Sequence, residues 1–152
     1  MSKNDDFAVQ DFLPFLLNRA AEDSSLEFQK LYKGRYGMLR TEWRVLFHLG
    51  MYTRMTASDI SQRARIHKTK ISRAVAKLAA RRWVSRSRDE SDRRSEHLEL
   101  TAAGRSVYED LRQQARVYDQ RLTQGFSAED VALLRRMLRQ LASMEPPSDR
   151  TP

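Results

Sequence analysis

The chain has 152 residues, 40% apolar and 32% charged, with 28 Lys and Arg against 20 Asp and Glu, five Gly, four Pro and no Cys. The apolar share is too high for a disordered polar tail, and so little Gly and Pro argues against a loop-rich β sandwich. Absent cysteine excludes disulfides, thiolate zinc sites and thiol nucleophiles, fits a reducing compartment, and makes the cytoplasm the expected location. The N-terminal apolar cluster Phe12–Leu17 is broken by Pro14 and preceded by Asp5, Asp6 and Asp11, unlike a signal peptide. No stretch approaches the roughly 20 apolar residues that span a bilayer, so no membrane partner is expected.

In chain order, Val9, Phe12, Leu13, Leu16, Leu17 and Ala20 form one stripe of a long helix over residues 9–33. Asp11 is its candidate cap, Pro14 is tolerable in a first turn, and Asp23-Ser24-Ser25 is the place for a bend or break. Gly34 and Gly37 punctuate a link, and Thr41–Leu49 reads as a short amphipathic helix closed by Gly50. After a turn at Tyr52–Met55, Thr56 followed by Asp59 resembles a capping box and starts a helix to Arg63 or Ala64. Beyond a tight turn at Ala64–His67, Ile71, Ala74, Val75 and Leu78 make the buried stripe of a further helix whose outer face carries Lys70, Arg73 and Lys77. Trp83–Arg88 and Glu96–Leu100 alternate as two short strands around a polar tip. Val107, Leu111, Tyr118 and Leu122 then mark a long helix. Ser127 caps a last one striped by Val131, Leu134, Leu138 and Leu141 and stopped by Pro146-Pro147.

The positive charge is not spread evenly. Residues 62–94 hold twelve basic residues against Asp89, Glu90 and Asp92, a local charge of +9, whereas the rest has 16 basic and 17 acidic residues, a charge of −1. A polyanion is the expected partner of that block. A short helix, tight turn, basic second helix and basic hairpin is the order of a winged helix-turn-helix. Its second helix enters the major groove, where Lys and Arg address guanine N7 and O6, and its Arg-rich tip suits the minor groove.

Four ordered segments resemble the MarR family of winged-helix transcriptional regulators: Thr41–Leu46, Ser58–Ala64, Lys68–Leu78, and Asp92-Arg93-Arg94 with Leu98–Gly104. The resemblance implies one mainly α domain over residues 1–152 with a two- or three-stranded β wing. Residues 9–36 and 102–145 would be dimerisation helices around a DNA-binding module at 40–101. It implies a homodimeric repressor on a pseudo-palindromic operator in double-stranded DNA, released by a small, often aromatic or phenolic effector. It also implies that Asp92 stabilises the wing and Arg94 reaches the minor groove. An effector-independent activator or weakly specific DNA-organising protein is the alternative. The chain departs from the family at Arg65 and Arg82, where Gly is usual, which leaves open whether these residues accept positive φ.

The expected DNA-binding residues are Lys68, Thr69, Lys70, Ser72, Arg73, Lys77, Arg86, Arg88, Arg93 and Arg94. For Thr69 and Ser72, helix-start decoration competes with DNA contact; for His67, phosphate contact competes with an exposed structural role. Tyr36, Trp43, Arg44, His48 and Met55 are candidates for an effector pocket or, equally, ordinary core and hinge residues. No phosphate loop, nucleophile elbow, paired-carboxylate site or HExxH spacing is present, so neither an enzyme nor a cofactor or metal is expected.

Overall fold

The computed structural model describes residues 7–88, 91 and 95–143. A single 3-10 turn, Val9–Asp11, precedes α1 (Leu13–Tyr36), α2 (Arg40–Tyr52), β1 (Arg54–Thr56), α3 (Ala57–Ala64) and α4 (Lys68–Ala80). Then come β2 (Val84–Arg88), β3 (Glu96–Leu100), α5 (Ala102–Leu122) and α6 (Ala128–Leu141). The fold is mainly helical with one three-stranded antiparallel sheet in the order β1-β3-β2. The chain divides into two compact units, Met1–Ala115 and Arg116–Pro152, with the boundary inside α5.

In the first unit, one continuous core gathers Leu46 and Leu49 of α2, Ile60 of α3, and Ile71, Val75 and Leu78 of α4 with β1, β3 and α5. The turn read at Tyr52–Met55 becomes the short strand β1, because Met55 buries its side chain opposite Leu98 on β3. The Thr56 hydroxyl accepts from the Asp59 N–H at 3.1 Å, and the Asp59 carboxylate accepts from the Thr56 N–H at 3.0 Å, so the capping box starts α3 where the sequence indicates.

Three boundaries differ from the sequence reading. The first helix begins at Leu13 behind Phe12 rather than at an Asp11 cap, with Pro14 in its first turn. It runs unbroken through Ser24, whose hydroxyl bonds back to the Ala20 carbonyl at 2.6 Å. Gly34 therefore lies inside α1, and only Gly37, at φ 63°, ends it in the left-handed region. Gly50 does not close α2, which continues to Tyr52; it is small because the Tyr108 ring of α5 lies against it, where an added Cβ would stand 2.2 Å from Cε2.

The second unit has α6 capped by the Ser127 hydroxyl, which accepts from the Asp130 N–H at 3.1 Å. Leu134, Met137, Leu138 and Leu141 on this helix are exposed, and no residue of α6 is buried.

Gly50→Ala is expected to lower stability by about 1–2 kcal/mol in urea unfolding, because overpacking against Tyr108 outweighs the gain in helix propensity. Gly34→Ala, with nothing within 4 Å of the new Cβ, should be neutral or stabilising.

Candidate nucleic-acid interface

The turn between α3 and α4 is fastened by backbone-directed side chains. Arg44 of α2 donates to the Ala64 carbonyl at 2.7 Å and the Ser61 hydroxyl donates to the Ile66 carbonyl at 2.6 Å. Arg65 ends α3 at φ 53°, so the residue standing where the family usually has Gly adopts the glycine-like conformation. His67 caps α4: its Nδ1 accepts from the Thr69 N–H at 3.2 Å and is therefore the unprotonated nitrogen.

With Ile71, Ala74, Val75 and Leu78 buried, α4 turns Lys68, Thr69, Lys70, Ser72, Arg73 and Lys77 to solvent. The outer residues sit on a helix whose inner face locks it to the core, which presents donors in a fixed orientation. Lys77 is the exception in its surroundings. Its Nζ lies 3.5 Å from a carboxylate oxygen of Glu42 on α2.

On the sheet, β2 pairs with β3 in the register Val84↔Leu100 to Arg88↔Glu96, with Arg86 and Arg88 exposed. The Arg86 guanidinium is 3.2 Å from Glu96 across the hairpin, and Arg54 of β1 is 3.5 Å from Glu99. Asp92, Arg93 and Arg94 lie outside the described residues.

Arg81, in the basic segment, does not face outward alone. It stacks over the Trp83 ring at 3.7 Å from the centroid and donates to the Tyr36 carbonyl at the end of α1. Tyr36 in turn packs edge-on against Trp83, and its hydroxyl donates to Asp110 of α5, which also takes a two-pronged contact from Arg35 at 2.9 and 2.8 Å. The Tyr36 hydroxyl and then the Arg35 guanidinium hold the Asp110 carboxyl below its ordinary pKa. The sequence reading missed Glu42, Arg81 and Asp110, since each acts through a residue far along the chain; an acid in the first turn of α2 was the only local signal.

Of the five residues weighed as an effector pocket, only Arg44 and His48 bond to one another among the contacts described. Tyr36 belongs to the junction just described. Trp43 stacks on Tyr32 with centroids 5.7 Å apart, Arg44 holds Ala64, and Met55 is buried in the sheet. His48 is buried with its Nδ1–H donating to the Arg44 carbonyl at 2.6 Å. Burial, and then the nearby Arg44 and Arg63 charges, press its pKa below the ordinary value, against the pull of that hydrogen bond. Among the described residues no group of three or more His, Cys, Asp or Glu could hold a metal, and no helix is long and apolar enough to cross a membrane.

A basic helix seated on a buried stripe and followed by a cationic hairpin defines a winged helix-turn-helix protein. Residues 36–95 match the model of the MarR family. The structure is similar to a MarR family transcriptional regulator from Silicibacter pomeroyi DSS-3, at 28% identity and a TM-score of 0.79 over 91% of this chain and 98% of that one. It is similar to BpsR of Bordetella bronchiseptica, whose DNA binding is regulated by 6-hydroxynicotinic acid, at 21% identity and 0.80 over 91% and 99%. It is also similar to FabT of Streptococcus pneumoniae, solved in complex with DNA, at 20% identity and 0.72 over 90% and 96%. No curated protein matches the sequence. The chain thus matches the MarR family model over residues 36–95 and shares the winged helix-turn-helix fold of MarR family transcriptional regulators.

His48 gives this scaffold a pH dependence with a defined sign. Its folded pKa lies below the ordinary 6.5, so the unfolded chain binds the proton more readily. Stability is full above that value and is lost as pH falls through the folded pKa. Thermal unfolding followed from about pH 7.5 to about pH 5 should show a falling midpoint, flattened in His48→Gln. The stability that Asp110 contributes is full above 3.8, the ordinary value of its carboxyl, and is lost only at lower pH, so it is separable.

Proposed function

We propose that this regulator is a homodimeric, cytoplasmic repressor that reads a pseudo-palindromic operator in double-stranded DNA and is released by a small ligand, with an aromatic or phenolic acid as the first class to test. The observation that carries the DNA reading is the exposed row Thr69, Lys70, Ser72 and Arg73 on α4, opposite a stripe that is fully packed. Arg73 addresses guanine in the major groove, while Lys68, Lys70, Arg88, Arg93 and Arg94 serve phosphates and the minor groove, joined by Arg86 when it leaves its exposed pair with Glu96, and Asp92 steadies the wing. Thr69 and Ser72 supply short hydroxyl contacts at the helix start. The role of Lys77 is narrower and is taken up below.

Dimerisation is supported by apolar surface that the chain leaves uncovered. Phe12, Leu13, Phe15 and Leu16 at the start of α1 are exposed, as are Leu134, Leu138 and Leu141 on α6. Apolar rows of this kind on a regulator favour a second copy as the cover. The effector reading is supported by the likeness to BpsR and by the aromatic, half-buried surroundings of Trp43, with Tyr36, Arg44, His48 and Met55 as the other candidates.

Arg73→Ala should weaken operator binding by about 1–3 kcal/mol and relax preference at one base pair, whereas Arg88→Ala should weaken all sequences alike and lower the salt slope by about 0.9. Fluorescence anisotropy over a KCl series measures both. Unchanged affinity in the two variants would overturn the reading of α4 and the wing. In sedimentation the wild-type chain should run as a dimer at micromolar concentration, and Leu134→Glu with Leu138→Glu should drive it to monomer; a wild-type monomer would refute the assigned role of the terminal helices.

A further inference from the structure

The cation of Lys77 is held by an acid that is nearly out of reach of solvent. Glu42 is 6% exposed and stands in the first turn of α2, where one carboxylate oxygen accepts from the Leu39 N–H at 2.9 Å. The other lies 3.5 Å from Lys77 Nζ. The Leu39 N–H that Glu42 accepts is one of the donors that the start of α2 leaves without a partner inside the helix. A groove of about 160 Å³ brings Glu42 and Thr41 of α2 together with Lys70, Arg73 and Lys77 of α4. A fixed negative charge therefore sits within the cationic face that would meet DNA.

We propose that Glu42 withholds Lys77 from DNA and limits the affinity of this face. This rests on the DNA-reading role of α4 argued above. For Lys77 to take a phosphate it must leave Glu42, and the vacated carboxylate, itself nearly out of reach of solvent, would then stand uncompensated beside that phosphate. Both changes oppose the exchange. Lys70 shares the groove but forms no ion pair with a described residue, so it releases counterions on binding where Lys77 does not. Glu42 is thus a positioning residue: it leaves Arg73 as the principal base reader and keeps non-specific binding low.

Salt-dependent binding separates this from a purely structural role. Glu42→Gln keeps an acceptor for the Leu39 N–H and removes the charge. It should bind operator and non-specific DNA about 2–5 times more tightly, with a salt slope steeper by up to about 0.9. In a Lys77→Gln background the steepening should vanish. Lys77→Gln alone should leave the slope unchanged, while Lys70→Gln should reduce it by about 0.9. Weaker or equal binding by Glu42→Gln, at an unchanged unfolding midpoint, would overturn the proposal, as would a slope lost in Lys77→Gln. If Glu42→Gln unfolds, the comparison of the two lysine variants decides alone. If the wild-type chain shows no salt-dependent DNA binding at all, the reading of α4 fails instead.

Discussion

The placement of the wing depends on one close crossing, where Trp83 leaves α4 and Gly104 enters α5. The Trp83 carbonyl accepts from the Thr101 N–H at 3.0 Å, and the Thr101 hydroxyl donates to the Arg82 carbonyl at 2.6 Å while accepting from the Gly104 N–H at 3.0 Å. A Cβ at residue 104 would stand 2.0 Å from the Trp83 oxygen, so only glycine allows the crossing. Arg82 takes φ 60° to make the bend, at about 1–2 kcal/mol, which three hydrogen bonds of about 1 kcal/mol each can offset. The two strands of the hairpin therefore leave and return at a fixed spacing.

The same logic governs the polar residues inside the first unit. Glu42, Arg44 and His48 all lie on α2, and each is spent on backbone: Leu39, Ala64 and the Arg44 carbonyl respectively. Buried polar groups with satisfied partners fix one arrangement where apolar contacts alone would tolerate several. Arg44 joins α2 to the end of α3, and Glu42 joins α2 to α4 through Lys77. The orientation of the outer face of α4 is thus set largely by residues that would touch no DNA.

How much of this could be read in advance depended on distance along the chain. The α3 capping box, the α4 stripe, the hairpin and the Ser127 cap are local patterns within four to seven residues, and they appear where the sequence places them. Gly50 is ambiguous in the sequence because a glycine near a helix end carries the same letter whether it stops the helix or admits a ring from α5. Ser24 suggests a break because its hydroxyl competes for backbone in the abstract; in place, it returns a bond to its own helix. The pairing of Glu42 with Lys77 and of Asp110 with Arg35 and Tyr36 spans parts of the chain no periodicity connects. The candidate DNA face was accordingly legible as a set of exposed cations, but the division of labour among them was not.

That division changes what the charge of the basic block means. A +9 segment invites the inference that every cation is available to a polyanion. Yet Arg81 is committed to Trp83 and the Tyr36 carbonyl, Lys77 to Glu42 and Arg86 to Glu96, while Arg63 lies over the Tyr52 ring at 4.2 Å. A cation whose charge a carboxylate already compensates in the free protein, as Glu42 does for Lys77, releases few counterions when DNA arrives, whereas a ring or a carbonyl orients Arg63 and Arg81 without neutralising them. The number of phosphates the protein neutralises must then be smaller than its basic residues suggest. Specificity gains relative to bulk attraction, because a lower electrostatic background leaves more of the total binding energy to contacts, such as those proposed for Arg73, that depend on which base is present.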